Sequence, residues 1–128
     1  MPAVALTPAA VGDDGRVTDP LTDAAAAARH DLTVTARLTA ASEVALTASL
    51  ETRGWWLAQW PEGGEHLVGL VAQDVQEWVH DNVDSDWPLC PEHRDHALFV
   101  EPDLGPHPFW VCHQSGLPLA SVGELPVQ

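Results

Sequence analysis

The chain reads as an α+β protein, and three observations lead there. Between residues 32 and 60, short segments alternate apolar and polar positions with a period of two. Residues 67–83 switch to a helical period, with one apolar stripe. From residue 87 onward, short apolar segments are separated by proline- and glycine-containing turns. Strands in a block, then a helix, then hairpins give an α+β order rather than repeated βαβ units. The expected architecture is a three-stranded antiparallel meander packed by one long amphipathic helix, followed by a small β module.

The elements follow in order. Residues 1–18 read as a flexible tail, rich in Ala, Thr and Pro and containing Gly12-Asp13-Asp14-Gly15. Asp19 then offers an N-cap and Pro20 the first helical position, which predicts a short alanine-rich helix over Leu21 to Arg29. Leu32, Val34, Ala36 and Leu38 alternate with Thr33, Thr35 and Arg37, and Val44, Leu46, Ala48 and Leu50 repeat the pattern. These are read as the first two strands of the meander. The third is Trp55 to Trp60, ended by Pro61, and Glu62-Gly63-Gly64 is a turn. Leu67, Val71, Val75, Trp78 and Val79 share one face of the long helix, which ends at Val83 before Asp84-Ser85-Asp86. Short strands are expected over Ala97 to Val100, Phe109 to Cys112 and Leu117 to Val122. The division is therefore a tail (1–18), the helices and meander (19–86) and the terminal module (87–128). Residues 19–128 are expected to form one compact domain.

Charge excludes several function classes. The 128 residues carry 19 Asp and Glu against five Arg and no Lys, a net charge of −14. Such a surface repels phosphate backbones and anionic lipid, so direct nucleic-acid or membrane binding is not expected. A basic protein partner or a second copy of the chain fits better. Without lysine there is no Schiff-base chemistry. No His-Glu-x-x-His, glycine-rich phosphate loop or Gly-x-Ser-x-Gly elbow occurs. No basic, apolar leader pattern opens the sequence and no run of about 20 apolar residues occurs, so the cytoplasm is the expected location.

The terminal module carries the chemistry. Both cysteines and four of the seven histidines fall within Cys90 to His113. Cys90-Pro91-Glu92-His93 has the Cys-x-x-His spacing of a metal knuckle, in which a tight turn aims a thiolate and an imidazole at one ion. Cys112-His113-Gln114-Ser115-Gly116 has the shape of a second knuckle, with serine where the second ligand would stand. Zinc takes four N/S ligands. Cys90, His93 and Cys112 supply three, His96 is the expected fourth, and His113 is the alternative. On a strand, neighbours Cys112 and His113 would point to opposite faces. A Cys90–Cys112 disulfide or two inert buried thiols are the competing readings. Trp55, Trp56 and Trp60 form an aromatic set expected to contribute to an interface.

Trp87-Pro88-Leu89-Cys90-Pro91-Glu92-His93, His96-Ala97-Leu98, Trp110-Val111-Cys112 and Ala120-Ser121-Val122-Gly123-Glu124-Leu125 resemble a group of short, functionally uncharacterised actinobacterial proteins. The Gln-containing stretch Val71-Ala72-Gln73-Asp74-Val75-Gln76 is similar to theirs too. The chain departs from their pattern in the spacing of His96 and in having Ala97 and His113 where they have proline. The resemblance implies a small zinc-ribbon-like module and assigns no activity. The expected function is that of a small acidic Zn2+-binding protein with a structural site, acting through protein–protein contacts in a regulatory, adaptor or immunity-type role. The alternatives are a small metal-dependent enzyme with an open zinc position and, more weakly, an acidic nucleic-acid mimic.

Overall fold

The computed structural model describes residues 19–83 and 86–127. The expected tail over 1–18 and the Asp84-Ser85 helix stop lie outside the described residues. Helix α1, Pro20–Val34, starts as its sequence dictates. The Asp19 side chain accepts from the Thr22 backbone N–H at 3.0 Å, and Pro20 takes the first helical turn, where a missing N–H costs nothing. Ala24, Ala28 and Leu32 recur at four-residue intervals and are buried. The helix continues five residues past Arg29, into the segment expected to be a strand.

The meander over residues 32–60 is not formed. Helix α2 spans Ala40–Gln59 and takes up both the second expected strand and most of the third. A reciprocal cap at its start favours the helix. The Ser42 N–H donates to Thr39 Oγ1 at 3.1 Å, and the Thr39 N–H donates to Ser42 Oγ at 2.7 Å. Over seven residues of Ala, Thr and Leu, alternation and a helical stripe fit almost equally well. Val44 decides between them: a strand would turn it inward with Leu46, but Val44 is 70% exposed while Leu46 is fully buried. The α+β class stands, with a helix packed on a three-stranded antiparallel sheet, but that sheet is the C-terminal one.

A 3-10 turn, Pro61–His66, replaces the expected Glu62-Gly63-Gly64 turn and leads into helix α3, Leu67–Val83. This helix has the expected bounds. Leu67, Val71, Val75 and Val79 are buried along its stripe, and Trp78 packs against the core at its edge. Helix α3 contacts both α1 and α2. Arg53 donates twice to the Asp74 carboxylate, at 2.9 and 2.8 Å, and Ser49 Oγ donates to it at 2.7 Å, which pins α2 to α3. Among the described residues, no helix is long and apolar enough to cross a membrane.

Three short strands complete the fold: β1 Phe99–Glu101, β2 Phe109–Val111 and β3 Pro118–Ser121. They pair antiparallel in the order β1-β2-β3, with Val100 opposite Trp110 and Trp110 opposite Ala120. One core cluster joins helices and sheet, from Leu32, Leu46 and Val75 to Trp87, Trp110, Val122 and Leu125. Gly123 sits where no side chain fits: its φ is +98°, and an added Cβ would lie 2.7 Å from that of Ala27.

That close approach serves a buried carboxylate. Asp31 is fully buried on α1. Its Oδ2 accepts from the Trp110 indole N–H at 2.8 Å and the Gly123 N–H at 2.6 Å, and its Oδ1 accepts from the Leu125 N–H at 3.1 Å. His30 Nδ1 lies 2.8 Å from Oδ1. Asp31→Ala removes the acceptor and strands the Trp110, Gly123 and Leu125 N–H donors, so it should cost roughly 3–5 kcal/mol in urea unfolding. Asp31→Asn keeps the shape but turns an N–H toward a donor, and should cost about 2 kcal/mol or more. A loss below 1 kcal/mol in Asp31→Ala would mean that the carboxylate is not a structural anchor.

Candidate metal centre

Two knuckles of the same backbone design carry the cysteines. In the first, the Arg94 N–H donates to the Cys90 carbonyl at 2.8 Å, and Arg94 takes a left-handed conformation at φ 63°. In the second, the Gly116 N–H donates to the Cys112 carbonyl at 2.8 Å, with Gly116 at φ +72°. Each turn thus closes four residues after its cysteine, and the position one earlier holds His93 or Ser115.

Neighbouring elements hold the knuckles in place. The Leu98 N–H donates to the Pro88 carbonyl at 2.8 Å, and Leu89 bridges Ala97, so the first knuckle tips a small hairpin. Gln76 on α3 clamps both arms of this hairpin, its Nε2 donating to the Trp87 and Leu98 carbonyls at 3.0 and 2.6 Å. Cys112 follows β2, and its N–H donates to the Leu117 carbonyl at 3.0 Å.

The structure brings Cys90, His93, His96 and Cys112 together. One donor atom from each lies within 4.8 Å of all the others, a group that could hold a metal ion. The two sulfurs are 3.7 Å apart. His93 Nδ1 is 3.3 Å from Cys90 Sγ and 3.4 Å from Cys112 Sγ, and His96 Nε2 is 3.6 Å from Cys112 Sγ. Both cysteines are buried free thiols. His113 stays outside the group, its ring 6.4 Å from that of His96 and 6.3 Å from that of Phe99.

The surroundings favour the metal-ready protonation state of Cys112. Hydrogen bonding from Ser115, first its side chain and then its backbone, lowers the Cys112 thiol to about 5, with His96 and Gln114 adding to the effect. The Ser115 N–H lies 3.4 Å from the sulfur. The serine at the ligand position of the second knuckle therefore supports the thiolate instead. His96 is raised above the ordinary histidine range by its bond to Cys112 and then by Asp95. The Asp95 carboxylate, 2.8 Å from His96 Nδ1, is itself lowered by that contact. It orients the ring so that Nε2 faces the Cys112 sulfur. Sequence reasoning did not assign these two roles, but the Cys-x-x-Ser-Gly pattern and the Asp-His pair were the available signals.

The tryptophan set is placed differently from the expectation. Trp55 and Trp56 lie on α2 and Trp60 is its C-cap, so none stands on a sheet edge. Trp55 is 67% exposed and Trp60 is 43% exposed. Trp56 packs against the core and meets Trp60 edge to face, with centroids 5.1 Å apart.

Asp95 supplies a test of the site that leaves all four donors intact. Asp95→Asn should weaken metal binding roughly 10- to 100-fold in competition titration against a chromogenic chelator. An unchanged affinity would remove Asp95 from the site.

No curated protein and no solved structure matches the chain. A family model does, over residues 17–122, a span that holds the helices, the sheet and all four clustered residues. The chain belongs to the family described as a domain of unknown function, DUF8819.

Proposed function

We infer that this is a zinc-stabilised domain acting through contacts with other proteins. The donor spacing carries the zinc reading. With zinc–sulfur bonds of about 2.3 Å and zinc–nitrogen bonds of about 2.05 Å, a tetrahedron has S···S edges of about 3.8 Å and S···N edges of about 3.6 Å. The observed 3.7 Å between sulfurs and 3.3–3.6 Å from sulfur to nitrogen are close to those edges. A tetrahedral set of two sulfurs and two nitrogens suits zinc better than harder cations. Four protein donors complete the coordination, which favours a structural, zinc-ribbon-like role over an enzyme with an open position.

The contact reading rests on charge and exposure. A net charge of −14 favours a basic protein partner and disfavours nucleic acid. The outer side of α2 carries Val44, 70% exposed, and Trp55, 67% exposed, and tryptophan is enriched where binding energy concentrates. A regulatory, adaptor or immunity-type role in the cytoplasm agrees with both features.

Protein purified without chelator should contain about one zinc per chain, since two knuckles build one site. Cys90→Ser and Cys112→Ser should lose it and loosen the terminal module, because structural zinc supplies about 10 kcal/mol or more in small zinc-finger peptides. His96→Ala should weaken zinc far more than His113→Ala, and the reverse order would reassign the fourth ligand. Protein free of metal by elemental analysis would end the zinc reading.

For the contact surface, Trp55→Ser should leave the circular dichroism spectrum unchanged. It should also abolish either self-association in sedimentation or a crosslinked basic partner in host extract. Wild-type protein that shows neither in these assays would count against an interface on α2.

A further inference from the structure

We propose that Cys90 and Cys112 form a metal-for-disulfide switch, in which a peroxide converts the thiolate pair to an intramolecular disulfide and expels the metal while the fold persists. The proposal rests on the reading of the cluster as a metal centre and adds its regulation. The chain has two cysteines, and both belong to the cluster. One two-electron oxidation therefore removes both sulfur donors at once. His93 and His96 alone remain, and two imidazoles hold zinc far more weakly than a full set of four.

The geometry favours this outcome over unfolding. The sulfurs stand 3.7 Å apart, so a bond of about 2.0 Å requires them to close by only about 1.7 Å. Each cysteine keeps backbone anchors that need no metal: Cys90 through the His96 carbonyl and the Arg94 N–H, Cys112 through the Leu117 carbonyl and the Gly116 N–H. The hairpin behind Cys90 is held by Gln76, and the strand before Cys112 by the bond from Trp110 to Asp31. A disulfide would join two segments that already stand side by side.

The chemistry balances with hydrogen peroxide as oxidant. The Cys112 thiolate, which accepts the Ser115 N–H at 3.4 Å, attacks one peroxide oxygen. The O–O bond breaks, leaving a sulfenic acid and hydroxide. The Cys90 thiolate then attacks the Cys112 sulfur, the S–S bond forms, and the S–O bond breaks with loss of a second hydroxide. Two electrons pass from sulfur to peroxide, and the metal ion departs with its charge unchanged. A dithiol reductant reverses the step and restores both donors.

The test titrates the zinc-loaded full chain with hydrogen peroxide. Three readouts are followed: zinc release to a chromogenic chelator, intact mass, and far-ultraviolet circular dichroism. The expected result is one zinc released per chain, a mass lower by two hydrogens in the monomer, and retained helical signal. Dithiothreitol followed by zinc should restore the starting state. Zinc release accompanied by sulfinic or sulfonic acids, by cross-linked dimers or by loss of the helical signal would overturn the switch. Zinc that stays bound under excess peroxide would overturn it while leaving the metal centre intact. Protein that takes up no zinc before oxidation would bring down the metal reading and the switch with it. In that case a Cys90–Cys112 bond would identify the pair as an ordinary disulfide.

Discussion

The fold hangs on the last turns of α1, and above all on the buried carboxylate of Asp31. An unpaired charge in the core would be prohibitively costly, so its oxygens must be saturated with donors. The donors come from the far end of the chain: the Trp110 indole and the Gly123 and Leu125 amides. One turn further on, Thr35 Oγ1 accepts the Trp87 indole N–H at 2.8 Å while donating to the Asp31 carbonyl at 2.7 Å. The two indoles meet edge to face, with centroids 5.6 Å apart. Each tryptophan precedes a cysteine, Trp87 by three residues and Trp110 by two. Helix α1 thereby sets the position of both knuckles from behind. The Trp-Pro-x-Cys and Trp-x-Cys patterns follow from this, since each indole is the peg from which a donor-bearing segment is hung.

Local order and anchoring reinforce each other in the terminal module. Its three strands are three or four residues long, too short to be stable as an isolated ribbon. Helix α3 supplies part of the missing support: Gln76 satisfies two carbonyls of the first knuckle's hairpin, and Gln73 reaches the Asp103 carbonyl at 3.0 Å. The four-donor cluster closes the opposite end. On the proposed reading, zinc binding and the helix-side hydrogen bonds stabilise the same few loops from two directions. Removing either should loosen the module before it melts the helices.

How much was legible depended on the range of the interaction. Helix α3 could be read to the residue because five apolar positions define its stripe and no competing period fits. The knuckles could be read because Cys-x-x-His fixes a turn within four residues. His96 could be named as the fourth clustered donor because its spacing from His93 lets both rings reach one point. The Ala/Thr-rich stretches form helix rather than the expected strands, and their alternation over seven residues is compatible with both periods. The deciding cap uses Ser42 where the usual signature has Glu or Gln. Asp31 left little local trace. Apart from the adjacent His30, its partners lie 79 to 94 residues away, beyond the reach of any local pattern.

The electrostatics divide into short-range pins and a long-range field. Arg29 pairs twice with Glu43 at 3.1 and 3.0 Å, joining α1 to α2, and Arg53 pairs with Asp74, joining α2 to α3. These two arginines therefore act at helix contacts, where their charge is locally cancelled. A divalent ion would likewise offset the two thiolates within the cluster. What remains on the outside is overwhelmingly negative, and its attraction for a basic partner reaches about 8 Å at physiological ionic strength. Such a field accelerates encounter but gives little binding energy at a solvated surface. On the proposed reading that energy comes from uncharged side chains, among them Val44 and Trp55, both exposed on α2. Salt should therefore slow association with a basic partner while leaving its dissociation nearly unchanged.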